Sequence, residues 1–237
     1  MANNTRENVL AMDARRHGAA QAVPGGRSIS GELVVARDPL QLRAEELRAL
    51  RTRILIRWAQ TGVRRRILVV ASPGPAEGRS YVAANLALAF AQLGERTLLI
   101  DADLRAPRQQ RIFDAPEQPG LTAVLSGRAG HGAVLALPEF GGLSLLTAGA
   151  QAANPQELLL GPALARLLDE LATEFDSIVC DSPPAANCAD AQSLAFRAGS
   201  ALVIARKDRT RIGDAQRTVR ELSATGARIV GTVFNAF

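Results

Sequence analysis

Lysine is almost absent from this chain of 237 residues: it occurs once, at Lys207, and every other fixed side-chain cation is an arginine. Tyrosine and tryptophan also occur once each, as Tyr81 and Trp58, and aromatic residues make up 4% of the whole. So few rings exclude a stacking platform for single-stranded bases, and no nucleic-acid partner is expected. The net charge of +5 allows contact with acidic surfaces without requiring it. Cysteine is scarce too. Cys180 and Cys188 lie outside any zinc-ligand spacing, and they read as reduced, buried, small side chains. No apolar run reaches the roughly 18 residues that cross a bilayer. The opening MANNTRENVLAMDARRHGAA lacks the compact apolar stretch of a secretory signal. A cytoplasmic protein is the expectation.

What is present is 47% hydrophobic, enough for one α/β domain. Residues 1–30 are polar, rich in glycine and arginine, and aperiodic; they read as a disordered basic tail. The domain then occupies 31–237. A helical pattern follows Asp38-Pro39 over 40–60, with Leu42, Leu47, Leu50, Ile54 and Leu55 near one face. Beyond Gly62, apolar runs at 67–71, 97–100, 143–146, 177–180, 201–205 and 229–234 alternate with helical patterns at 80–93, 162–174, 190–198 and 211–225. Continuous apolar runs are how strands buried on both faces look. The alternation predicts a mainly parallel sheet with helices on both faces, in the manner of P-loop NTPases. Ligands of such sheets bind at the carboxyl ends of the strands.

Three motifs sit at those ends. The first is ASPGPAEGRS, residues 71–80, between a strand and a helix. A phosphate-binding loop is written G-x-x-x-x-G-K-[ST]; here Pro73 stands for the first glycine and Arg79 for the lysine. Gly78 allows close backbone approach to phosphate at the helix start. Glu77 should point away from the anion, Arg79 supplies fixed positive charge, and Ser80 offers a hydroxyl to Mg²⁺. The second motif, LLIDADLR, places Asp101 and Asp103 at a strand end. The third, IVCDSPP, places Asp181 at another. Magnesium takes one or two carboxylates plus phosphate oxygens and water, which suits Asp103 and Asp181. Each motif alone reads equally as a turn or a cap; three in series point to a nucleotide site contacting Ser72, Pro75, Ala76, Glu77, Gly78, Arg79, Ser80 and Tyr81.

From about residue 40 to 235 the chain resembles the bacterial tyrosine kinases of capsule and exopolysaccharide systems. LLIDADLR is similar to their second phosphate-loop motif and IVCDSPP to their acidic strand motif. GLTAVLSG at 120–127, ANPQELL at 153–159 and GTVFN at 231–235 extend the likeness. The run AEGRSYVAANLALAFAQLGERTLLIDADLR resembles the branch associated with polysaccharide chain-length determinants, in which a G-R-S loop is at home; Ala76 departs from the usual glycine. The resemblance implies an ATP- and Mg²⁺-dependent tyrosine kinase regulating polysaccharide polymerisation and export. Asp101 would accept the tyrosine proton, Asp103, Asp181 and Ser80 would hold Mg²⁺, and Arg79 would contact the β- and γ-phosphates. Asn235 would lie near the adenine. The resemblance also implies a ring-forming homo-oligomer built on Glu45, Arg48 and Arg51 (E-x-x-R-x-x-R), and a partner: the cytosolic tail of a membrane chain-length determinant, which would hold the kinase at the membrane. The chain carries no cluster of tyrosines to modify; Tyr81 reads as a packed ring with a polar tip. A catalytically weak nucleotide-binding regulator of the same machinery, or a ParA/MinD-like ATPase, are the alternatives.

Overall fold

The structure, a computed structural model, describes residues 30–63 and 65–236. The tail expected over 1–30 falls almost wholly outside the described residues.

Strand β1 (Ile67–Ala71) is buried at every position. It pairs in parallel with β5 (Ser177–Asp181) on one side and β6 (Ser200–Arg206) on the other. Strand β2 (Thr97–Asp101) lies beyond β5, followed by β4 (Leu143–Leu146) and the two-residue β3 (Leu135–Ala136), while β7 (Arg228–Asn235) flanks β6. The seven-stranded order is β3-β4-β2-β5-β1-β6-β7, parallel except at β3.

Alternate residues of a strand face opposite sides, and β1 divides its side chains accordingly. Ile67 and Val69 join a core with Leu98, Ile100 and Ile178, covered by α7 (Pro162–Glu174) and α8 (Asp190–Ala198). Leu68 and Val70 join Leu99, Val179 and Leu202 on the other face, against α3 (Arg79–Ala91). Helix α3 is apolar nearly all round because it is covered twice. One side meets the sheet; the other meets α2 (Leu42–Gln60), where Trp58 stacks on Phe90 with centroids 5.7 Å apart. Helix α9 (Ile212–Ala224) links β6 to β7. Short helices complete the described chain: α1 (Val34–Arg37), α4 (Gln109–Ile112), α5 (Leu121–Leu125) and α6 (Pro155–Leu160).

Several expectations change. The long helix begins at Leu42, and Leu42 is 75% exposed rather than on the buried face, which is formed by Ala44, Leu47, Ile54 and Trp58. Strand β7 is not buried on both faces. It is an edge strand with alternating exposure, and Phe234 is 74% exposed. Cys180 is buried, which pushes its thiol up to about 12, whereas Cys188 is only half-buried. No helix among the described residues is long and apolar enough to cross a membrane.

Candidate active site

The topology brings the three motifs together. Asp101 and Asp181 end the adjacent strands β2 and β5 in direct register, and the loop of residues 71–80 leaves β1, the next strand over. That loop turns into α3 through Gly78, whose φ of +92° is in the left-handed region that glycine adopts without a Cβ penalty. Ala76 also has positive φ, +58°, an arrangement that strains an alanine and accounts for glycine being usual there.

Glu77 is buried, and its carboxylate folds back over the loop. One of its oxygens accepts from Gly74 N at 2.9 Å and the other from the Thr210 hydroxyl. Arg206 donates to Ala76 O at 3.1 Å, and Asn235 Nδ2 donates to Glu77 O at 3.3 Å. The loop is therefore tied to the ends of β6 and β7, and Asn235 stands beside it. Pro75 and Ala76 form its exposed outer turn. Tyr81 is half-buried against the cluster on α2, and borders a groove of about 630 Å³ between α2 and β7.

Arg79 departs from its expected position. It is 8% exposed and folds inward. Its Nη2 donates to Asp103 Oδ2 at 2.9 Å, its Nε to Asp181 Oδ1 at 3.1 Å and its Nη1 to Ser72 Oγ at 3.1 Å. A planar fork of donors reaches both carboxylates at once, which a point-like ammonium does not. The nearby Ser80 hydroxyl favours the charged form of Asp181. Burial raises Asp181 above the usual carboxylate range, opposed by Arg79.

Asp101 is fully buried. Its Oδ2 accepts from Arg108 N at 2.9 Å and Gln109 N at 2.8 Å, and its Oδ1 accepts from Asp103 N at 3.3 Å. Burial, and then the charge of Asp181, push its pKa to about 8 despite those N–H groups. Sequence reasoning missed three neighbours. Gln109 bonds Asp181, Arg105 is paired to the buried Asp190 at 2.8 Å, and Thr210 anchors Glu77. Arg105 stood within a quoted motif; Gln109 and Thr210 carried no local signal.

Glu45, Arg48 and Arg51 do not join this cluster. They lie toward the opposite end of α3. Arg48 donates to Pro39 O at 2.7 Å, and Arg51 donates to Ala89 O at 2.9 Å. Burial lowers the Arg51 pKa, and the neighbouring charge of Arg48 lowers it further.

The profile of the ParA family, described as NUBPL iron-transfer P-loop NTPase, matches residues 62–236. The tyrosine-protein kinase YwqD of Bacillus subtilis is 30% identical over 210 residues, covering 89% of this chain and 88% of YwqD. The chain belongs to the bacterial tyrosine kinases of the P-loop NTPase fold. The putative tyrosine-protein kinase EpsB of Ralstonia solanacearum is 35% identical over 204 residues, 86% of this chain. The chain spans only 27% of the length of that relative. The kinase domain of the Escherichia coli tyrosine kinase ETK superposes with a TM-score of 0.82 at 25% identity, covering 94% of this chain and 85% of that domain.

In this member of the tyrosine-kinase family, the donor set fits Mg²⁺. Asp103, Asp181 and the Ser80 hydroxyl are hard oxygen ligands, and Mg²⁺ uses few protein ligands beside substrate phosphates. No cage of three or more metal-binding side chains occurs among the described residues. Two of these oxygens, Asp103 Oδ2 and Asp181 Oδ1, accept from Arg79.

Proposed function

We propose that the chain is an ATP- and Mg²⁺-dependent protein-tyrosine kinase that regulates the polymerisation and export of a polysaccharide. The observation supporting this reading is the convergence of Arg79, Asp101, Asp103 and Asp181 beside the loop that opens α3. Phosphate is favoured there by the helix N-terminus and its dipole. Asp103, Asp181 and Ser80 would hold Mg²⁺, which neutralises phosphate charge when bound. Arg79, released from the carboxylates, would reach the β- and γ-phosphates. Asp101 would take the proton of the incoming tyrosine hydroxyl. Its Oδ1 is the less occupied oxygen, accepting one backbone N–H at 3.3 Å where Oδ2 accepts two. A base near neutral pKa is suited to proton transfer. Asn235, which donates to Glu77 O in the loop, would contact the adenine.

The acceptor is a tyrosine other than Tyr81, which is half-buried against α2. Glu45, Arg48 and Arg51 on α2 would join copies into a ring, and the cytosolic tail of a membrane chain-length determinant would activate the kinase and place it at the membrane. The test is incubation with labelled ATP, Mg²⁺ and a tyrosine-bearing partner. Label on tyrosine, lost in Asp101→Ala, is the expected outcome. Nucleotide binding without transfer under every activator would leave a regulator instead. Arg79→Lys, assayed alongside, shows whether the arginine loop is tuned down.

A further inference from the structure

Gln109 is the first residue of the short helix α4, fully buried, and joins the ends of β2 and β5 to the first turn of α3. Its backbone N–H donates to Asp101 Oδ2 at 2.8 Å. Its side-chain Nε2 donates to Asp181 Oδ2 at 2.8 Å and to Ser80 O at 3.1 Å. Both partners of Nε2 are acceptors, so the orientation of the carboxamide is fixed by its surroundings. The remaining atom, Oε1, is buried and has no hydrogen-bond partner. A buried acceptor without a donor is costly and marks a position where a donor arrives with a ligand.

Resting on the kinase reading above, we infer that Gln109 is a positioning residue for the cation and nucleotide: it holds Asp181 by Oδ2 so that Oδ1 faces the cation, and offers Oε1 to a donor of the hydrated ligand. The chemistry of the surroundings supports this. Arg79 reaches Asp181 through Oδ1, while Oδ2 accepts from the carboxamide. The two oxygens are thus assigned to different tasks, one exchangeable and one fixed. Mg²⁺ keeps several water ligands, each an O–H donor in need of an acceptor. The contact to Ser80 O ties the same residue to the first turn of α3, so the acid from β5 and the hydroxyl from the phosphate loop are set by one side chain.

The test compares wild type with Gln109→Met, which fills the space without either polar atom, and Gln109→Glu, which keeps the shape and acceptors but removes both donors. ADP affinity is measured in EDTA and again with Mg²⁺, and Mn²⁺ bound in the presence of ADP is counted by electron paramagnetic resonance. Outer-shell partners of metal ligands are typically worth about 10–100-fold in metal affinity. Both variants should lose about tenfold or more of the Mg²⁺-dependent gain and of Mn²⁺ affinity, while ADP binding in EDTA changes by about twofold or less. A general structural defect would lower both affinities together and would overturn the proposal, as would an unchanged Mg²⁺-dependent gain. If Gln109→Met fails to fold, Gln109→Glu alone decides by the same split. Should wild type itself show no Mg²⁺-dependent gain, the nucleotide-site reading fails rather than the role of Gln109.

Discussion

Asp101 illustrates how a single side chain sets a stability against a chemical task. Its folded pKa of about 8 lies above the ordinary carboxylate value of roughly 4. The folded chain therefore keeps a proton that the unfolded chain releases across that interval. Stability consequently falls as pH rises from about 4 toward 8, the reverse of the usual salt-bridged aspartate. Asp101→Asn should flatten that fall and stabilise the ligand-free protein at pH 8, by an amount on the order of a few kcal/mol, while abolishing transfer. Thermal unfolding of both proteins at several pH values checks it; parallel curves would show that Asp101 is not the titrating group. Arg79 works in the same place by different means. Its forked reach lets one cation pair with two buried carboxylates, which costs far less than leaving either unpaired.

Helices α2 and α3 behave as a unit. Arg51 is held by its own chain, with one guanidinium donor on Ala89 O in the last turn of α3, where carbonyls lack helical partners. Arg51→Ala should therefore lower stability by about 1 kcal/mol even at dilutions where no assembly forms. Chemical denaturation at low concentration measures this, and the loss must be separated from any change in assembly before α2 is credited with an interface. If stability is unchanged, the Ala89 contact contributes nothing in the single chain. The helix pattern of α2 was legible, but which residues it buries was only partly so. Ala44 and Trp58 face inward because α3 lies there, whereas Leu42 precedes the region of contact and stays exposed. The short helices and the two-residue β3 escaped because a period cannot be read from so few residues. At the site, Arg79, Asp101, Asp103 and Asp181 were legible as strings that end strands. The contact from Gln109 to Asp181 spans 72 positions and leaves no local trace.

The sheet divides the molecule into two apolar layers that share every central strand, so neither layer can unfold alone without stripping the other. Phe90→Ala, on the α3 side, should cost about 3–5 kcal/mol and still produce a single transition in which both layers melt together. Coincident denaturation by far-UV circular dichroism and by amide protection in β4 and α7 checks this; separated transitions would show two folding units. The existence of every strand but β3 was legible, whereas strand order was not, and order decides that β7 is an edge. Order also decides that Asp101 and Asp181 are neighbours despite being far apart in sequence. The junction of α2 with this body has a practical meaning. Trp58 is the only tryptophan, buried between Phe90 on α3 and Ser200 on β6, whose hydroxyl oxygen accepts from the indole at 3.4 Å. Its intrinsic emission is thus a label-free optical gauge of whether α2 stays docked, readable while nucleotide, cation or a second copy is added.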